Sequence, residues 1–320
     1  MEFSTGNIKL WSMIGASGTF GLAAHELAEI YPNFAVITAD LCFFSGLNRL
    51  KLDFPEKLYN VGISEQNMIG VAAGMANEGM CVWATTYASF ASTRVLDQIK
   101  VNMGYMKLPV HLLGLASGLS IGVLGATHIS IEDIAIMRAI PNMTVIVPAD
   151  CTELMKAVLT VSKMDTPTYI RASGTIRTPI VYKSDYEFKA GKGLVLNDGD
   201  DAVIYAAGSM VSFALKAAAE LKKTHNISVK VVNMHTIKPF DNDLVLANKD
   251  YKLILSVEEH STIGGLGSAV AEVLASQSQH GKLIMMGTGD YYAKAGGYEY
   301  MLAQHNLNVS SIVENVVNNI

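Results

Sequence analysis

Glu65 stands in YNVGISEQNMIGVAAGMANEG, residues 59 to 79, at the head of a small-residue apolar stretch with no further charge until Glu78. Ser64 in front of it suits a helix cap, and an acid in a first helical turn is favoured by the positive end of the backbone dipole. That reading needs no function. The other starts from MIGVAAGMA, residues so small and apolar that the helix must pack closely and hold Glu65 near low-dielectric surroundings. A carboxyl so placed tends to keep its proton and donate a hydrogen bond, a property catalysis uses. Further on, WATTYASFASTRVLDQIK runs from strand into helix with Tyr87 and Phe90 three apart and Arg94 four further. These spacings put the three on one helical face, as a packing stripe would also do. GLSIGVLGATHISIED is a glycine-punctuated loop with His128 just before a helix that starts at Ser130 or Ile131. A histidine there caps, ligates or shuttles protons.

The elements that position these residues follow from size and pattern. A chain of 320 residues exceeds what one compact core usually fills, so two domains are expected. Half of the residues are hydrophobic and 17% are charged, which implies more buried surface than an ordinary soluble domain has. The net charge of -5 comes without a Lys/Arg block or an aromatic-basic stripe, so nucleic acid is not an expected partner. The N-terminal segment lacks the pattern of a secretory signal, and Cys42, Cys81 and Cys151 lie far apart without metal-ligand or redox spacing. A reducing cytoplasm fits that usage. Leu108 to Ile131 is free of Asp, Glu, Lys and Arg, yet Pro109, His111 and four glycines break it into a strand and a loop, so it is not read as a membrane span.

Short Val/Ile/Leu runs alternate with segments of helical spacing, the α/β pattern of a parallel sheet covered on both faces. In the first half the reading is helix 18–30, strand 34–38, helix 64–78, strand 81–85, helix 91–104, strand 109–115, helix 130–139, strand 143–147, helix 150–163 and strand 167–171. In the second half DAVIYAA, SVKVVNM, KLILSVE and KLIMMG read as strands, with helices near 210–223, 241–249, 265–277 and 297–305. RTPIVYKSDYEFKAGK, residues 177 to 192, is charged and without periodicity. It places the boundary between a domain of residues 1–180 and one of 181–320, each with its own sheet. Residues 58 to 131 hold only six charged side chains in 74 positions, against 17% for the chain. Either a well-buried core or a face covered by another subunit explains that.

In order and context these pieces resemble the C-terminal half of transketolase-like thiamine diphosphate enzymes, particularly those split into two chains. The matching stretches are ITADL (37–41), YNVGISEQNMIGVAAG (59–74), TTYASFASTRVLDQI (85–99), GATHISIEDIAIMRAIPNMTVIVPAD (125–150) and VEEHSTIGGLGSAVAEVLA (257–275). The resemblance implies two three-layer α/β domains, a pyrimidine-binding domain and a smaller transketolase C-terminal domain. It also implies that Glu65 hydrogen-bonds a ring nitrogen of the cofactor's aminopyrimidine and promotes the tautomer that removes the thiazolium proton. By the same mapping Phe90 stacks on the pyrimidine, Tyr87 walls it, Asp40 and Leu41 lie near the thiazolium, and His128 faces substrate oxygens. Arg94 and His260, the latter beside the GGLG turn, are weaker candidates for substrate contact. His25, His111, His225, His235, His280 and His305 read as structural or surface groups.

The family holds diphosphate and Mg2+ with a GDG motif that belongs to its other half. The nearest match here, NDGDD at 197–201, reads GDD and precedes a strand. The resemblance therefore implies a partner, an N-terminal transketolase-like subunit carrying that motif, in a heterotetramer of two copies of each chain that is active only when assembled. Three departures bear on substrate. GVLGATH puts Leu124 where the family usually has an aspartate that contacts a donor hydroxyl. Ala116 aligns with a phosphate-binding histidine, and Gly174 with an arginine that grips the same phosphate. Loss of charge-assisted bonds to a phosphate costs several kcal/mol unless replaced, by Arg94 or Arg177 for example. The expectation is transfer of a two-carbon ketol or acyl unit from a ketose or 2-oxoacid to a carbonyl acceptor such as an unphosphorylated or nucleotide-linked keto sugar. The alternatives are the β subunit of a 2-oxoacid dehydrogenase and a non-catalytic subunit that retains the fold.

Overall fold

The structure, a computed structural model, describes residues 1–320. Helix α1 (Thr5–Ile30) begins behind Ser4, whose hydroxyl accepts from the Asn7 amide, and is interrupted at Gly15, where φ is 72°. Next come β1 (Phe34–Thr38), α2 (Asn48–Asp53), β2 (Leu58–Asn60), α3 (Glu65–Asn77) and β3 (Cys81–Tyr87). The single helix expected over 91–104 is broken into α4 (Ala88–Ser92), α5 (Leu96–Gln98) and a π-helical stretch, Ile99–Tyr105. Ser92 and Thr93 explain the break. Their hydroxyls donate to the carbonyls of Ala88 and Ser89 at 2.7 Å, and such back-bonding competes with the helical ladder.

The first half continues with β4 (Val110–Ser117), α6 (Asp133–Ala139), β5 (Thr144–Ile146), α7 (Cys151–Val161) and β6 (Thr168–Ser173). No helix or strand occurs between β6 and β7 (Leu194–Asn197). The second half adds β8 (Ala202–Ala206), α8 (Met210–His225), β9 (Val229–Asn233), β10 (Thr236–Lys238), α9 (Asn242–Ala247), β11 (Leu253–Ser261), α10 (Leu266–Leu274), β12 (Lys282–Thr288), α11 (Tyr298–Gln304) and α12 (Val309–Val317).

Two mixed, mostly parallel sheets result. The first has the order β10-β5-β6-β4-β3-β1-β2 and the second β12-β11-β8-β9-β7. Central strands such as FAVIT and AVIYA are buried at every position, because helices cover both faces. One departure from the expectation of separate sheets is β10. It comes from the second half yet pairs antiparallel with β5 through Thr236↔Ile146 and Lys238↔Val145, covering what would be an exposed edge.

The halves also share core. On one face of the first sheet, α1 and α7 bury Trp11, Phe20 and Leu154 against Phe34 and Trp83. On the other, Met68, Ile69 and Ala72 of α3 belong to a single apolar cluster that continues into Val203, Tyr205 and Leu266 of the second half. A polar hub sits in the same seam. Arg171 of β6 bonds Asp133 at 2.9 Å and donates to the carbonyls of Ser130 and Glu259 at 3.0 and 2.8 Å, while the Tyr169 hydroxyl donates to Asp133 at 2.7 Å. Both charged groups are fully buried, and their mutual bonds satisfy what desolvation would otherwise penalise.

Candidate active site

The parallel order runs outward in both directions from β1 and β3: β2 flanks β1, and β4 flanks β3. In open α/β sheets, ligands bind in the crevice beyond the strand ends at such a switch. The candidate residues gather there. Asp40 and Leu41 follow β1, Glu65 begins α3 after the loop that leaves β2, Tyr87 ends β3, and Ala116 is the second-last residue of β4.

Glu65 is 4% exposed, as the apolar sequel of its helix required. Ser64 does not cap that helix. Its hydroxyl donates backward to the Val61 carbonyl at 2.7 Å, and Gly62, at φ 75°, turns the chain into α3. The dry carboxyl is not solitary either. Arg94 Nη1 lies 2.7 Å from Glu65 Oε1, and the guanidinium carbon sits 3.9 Å from the centre of the Phe90 ring. The Arg94 side chain is 43% exposed, so it reaches this position from the solvent side. A flat cation that carries N–H groups is thus stacked on Phe90 and bonded to Glu65 at once. A nitrogen heterocycle of similar shape would use the same two contacts.

The aromatic groups cluster around that cradle. The Tyr87 and Phe90 rings are 6.1 Å apart, His128 lies 5.3 Å from Phe90 and 6.2 Å from Tyr87, and Phe44 lies 6.4 Å from Tyr87. His128 Nδ1 is 2.9 Å from the Thr127 hydroxyl. Asp40 has a φ of 59°, a conformation fixed by Asn60, whose side chain accepts the Asp40 amide at 2.9 Å and donates to its carboxylate at 3.0 Å. Sequence reasoning passed over Asn60 and Phe44. The available indications were a polar residue ending a short strand and an aromatic pair, CFFSG, exposed in a loop.

His260 stands apart from this cluster. It is fully buried, its Nδ1 is 2.7 Å from the Ser261 carbonyl, and its Nε2 accepts the Ala135 amide at 3.3 Å. Burial pushes its pKa down to about 4. The preceding Glu258 accepts the amides of Leu266 and Gly267 at 2.7 and 2.8 Å, so VEEHSTIGGLG caps α10 and docks it against α6. Burial raises Glu258 to about 7 despite those bonds.

Beside Tyr87 opens a cavity of about 250 Å³ whose walls include Ile14, Phe44, Ala116, Ile121 and Gly174. Ala116 and Gly174, the two positions expected from the resemblance to replace phosphate ligands, meet in one space. GDD at 199–201, by contrast, is a turn in which Asp201 accepts the Ser228 amide at 2.6 Å.

Comparison with known proteins shows the family. Residues 13–175 match the model of the transketolase pyrimidine-binding domain and residues 191–312 that of the transketolase C-terminal domain. A transketolase C-terminal section from Methanocaldococcus jannaschii is 39% identical over 300 residues, 93% of this chain and 94% of that one. A 6-deoxy-6-sulfo-D-fructose transketolase subunit from Clostridium sp. (strain MSTE9) is 37% identical over 90% of this chain and 89% of its own length. A split-gene transketolase solved as an inactive β4 tetramer superposes with a TM-score of 0.86 at 35% identity, covering 96% of this chain and 98% of that one. With both domain models matched in order and a full-length relative at this identity, the chain belongs to the transketolase family.

Proposed function

We propose that this chain is the C-terminal subunit of a split, thiamine diphosphate-dependent transketolase-like enzyme. It moves a two-carbon unit from a ketose or 2-oxoacid donor to a carbonyl acceptor. The observation that carries the reading is the cradle of Glu65 and Phe90, which already holds a planar N–H donor in the form of the Arg94 guanidinium. Such a pair of contacts fits an aminopyrimidine: the ring stacks on Phe90, and one ring nitrogen shares a hydrogen bond with a carboxyl screened from water. The cofactor, when bound, supplies the electron sink for cleaving a C–C bond next to a carbonyl.

This chain's own residues do the rest. Glu65 holds a proton at the ring nitrogen, Phe90 and Tyr87 fix the plane of the ring, and Asp40 and Leu41 border the crevice beyond β1. His128, with Thr127 at Nδ1, has Nε2 left to exchange a proton with substrate oxygens. Diphosphate and Mg2+ fall to a partner chain that carries the GDG motif, two copies of each chain forming a cytoplasmic heterotetramer. In support, apolar side chains stand open beside the site, among them Phe43 (71%), next to Phe44, and Ile63 (78%), two residues before Glu65, as expected of a face that another subunit covers. Gly70 and Gly74 of α3 have empty space where a side chain would project.

The test is reconstitution with that partner chain and measurement of cofactor-dependent donor cleavage. Glu65→Gln and Glu65→Ala should each lower turnover by about 100-fold or more, the usual share of a positioned acid or base. Full turnover in Glu65→Ala would instead point to a subunit that keeps the fold without the chemistry.

A further inference from the structure

The cavity beside Tyr87 has no Asp, Glu, Lys, Arg or His in its lining. A second cavity, of about 260 Å³, lies against it, with Gly174, Thr175 and Ile176 belonging to both. Its character is opposite: Arg177, Lys216 and Glu299 line it, together with the hydroxyls of Thr178, Ser209 and Ser212. Neither cation is ion-paired. Lys216 Nζ has only the Phe213 ring, 5.6 Å away, and Arg177 is held by its backbone alone, at φ 59° with its amide donating to the Met13 carbonyl at 3.3 Å.

We propose that the acceptor carries its negative charge at a distance from its carbonyl: an uncharged sugar end occupies the cavity beside Tyr87, and a diphosphate-linked nucleoside tail lies in the adjoining cavity against Arg177 and Lys216. The inference rests on the transketolase reading above for the site that receives the sugar end. A phosphate in the first cavity would be desolvated with no cation from this chain, whereas the second offers a bidentate guanidinium and an ammonium. A molecule that satisfies both must extend past residues 174–176, which line both cavities. Glu299 decides between a bare polyphosphate and a nucleotide. A carboxylate repels the former and accepts hydrogen bonds from the hydroxyls and N–H groups of a nucleoside.

Titration of the full-length chain with UDP-, CDP-, GDP- and dTDP-glucose, with pyrophosphate and ribose 5-phosphate alongside, tests the tail site without any turnover. At least one nucleotide sugar should bind, more tightly than pyrophosphate or ribose 5-phosphate. Arg177→Gln and Lys216→Gln should each weaken that binding about tenfold, one charge-assisted contact being about 1.4 kcal/mol. Both side chains are exposed, so an unchanged melting temperature will show that the variants fold. In the reconstituted complex, KM for a nucleotide-linked keto sugar should rise in the variants with kcat retained. Failure of all four nucleotide sugars to bind, equal binding of ribose 5-phosphate, or indifference to both substitutions would overturn the proposal. Failure of the complex to bind thiamine diphosphate would overturn the transketolase reading instead, and cofactor titration reads that separately.

Discussion

On the proposed reading, Glu65 and Arg94 define what the crevice must do before it can bind cofactor. As long as the guanidinium lies on Phe90 and against Oε1 of Glu65, both contacts that a pyrimidine would use are taken. Arg94 is nearly half exposed, so its ion pair with Glu65 and its contact with the Phe90 ring together hold it there by about 1 kcal/mol. Arg94→Ala should therefore lower the cofactor concentration for half-saturation of the reconstituted complex by up to about fivefold. A higher requirement in the variant would mean that the arginine assists the cofactor and does not compete with it. His260 gives a prediction in pH. Its folded pKa, about 4, lies below the ordinary 6.5, so the unfolded chain binds the extra proton between those values. The stability contribution present above pH 6.5 is lost as pH falls toward 4. In urea unfolding, His260→Asn should show a shallower loss between pH 6.5 and 5 than the parent chain. At this scale the position of Glu65 was legible from the small apolar residues after it. Its partner was not, because a side chain twenty-nine residues away reaches it through a break in a helix that periodicity alone renders continuous.

Elements are located by glycines as much as by apolar pattern. Gly15 breaks α1 because the chain at Thr175 presses on it, leaving no room for a Cβ: the Thr175 carbonyl carbon would be 2.9 Å away. Gly46, at φ 72°, meets the backbone of Ser17 and Gly18 in the same way, and the Gly46 carbonyl in turn lies against Gly21. These contacts fix the loop that carries Phe43 and Phe44 to the crevice. Gly46→Ala combines an unfavourable φ with a backbone clash, and should destabilise the chain by about 3 kcal/mol, read as a fall in the urea midpoint. The main strands and helices were readable because apolar runs and helical spacings survive tertiary context. The elements that escaped notice, β2, β7, β10, α2 and α12, include strands of three or four residues, too short for any periodicity to register.

Across the whole molecule, two arrangements join the halves: the shared apolar cluster and the hub of Arg171, Asp133 and Tyr169. Arg171→Met leaves Asp133 charged and fully buried, and should cost about 4 kcal/mol in thermal or urea unfolding. Adding Asp133→Leu should recover much of that loss, since the uncompensated charge disappears. An additive double variant would show that the pair does not act as a unit. Two α/β units were expected from chain length and the alternation of strand and helix patterns, whereas their interlocking was not, because Thr236-Ile237-Lys238 gives no hint that it pairs with a strand ninety residues earlier.

That crossing strand bears on how such chains can be recombined. Swapping the last 140 residues for those of a relative would remove the outermost rung beside β5 and import a foreign one, whose register must match Val145 and Ile146. Chimaeras cut in the linker should accordingly tolerate donors that preserve this local pairing and fail with the rest, however well the two globular bodies fold.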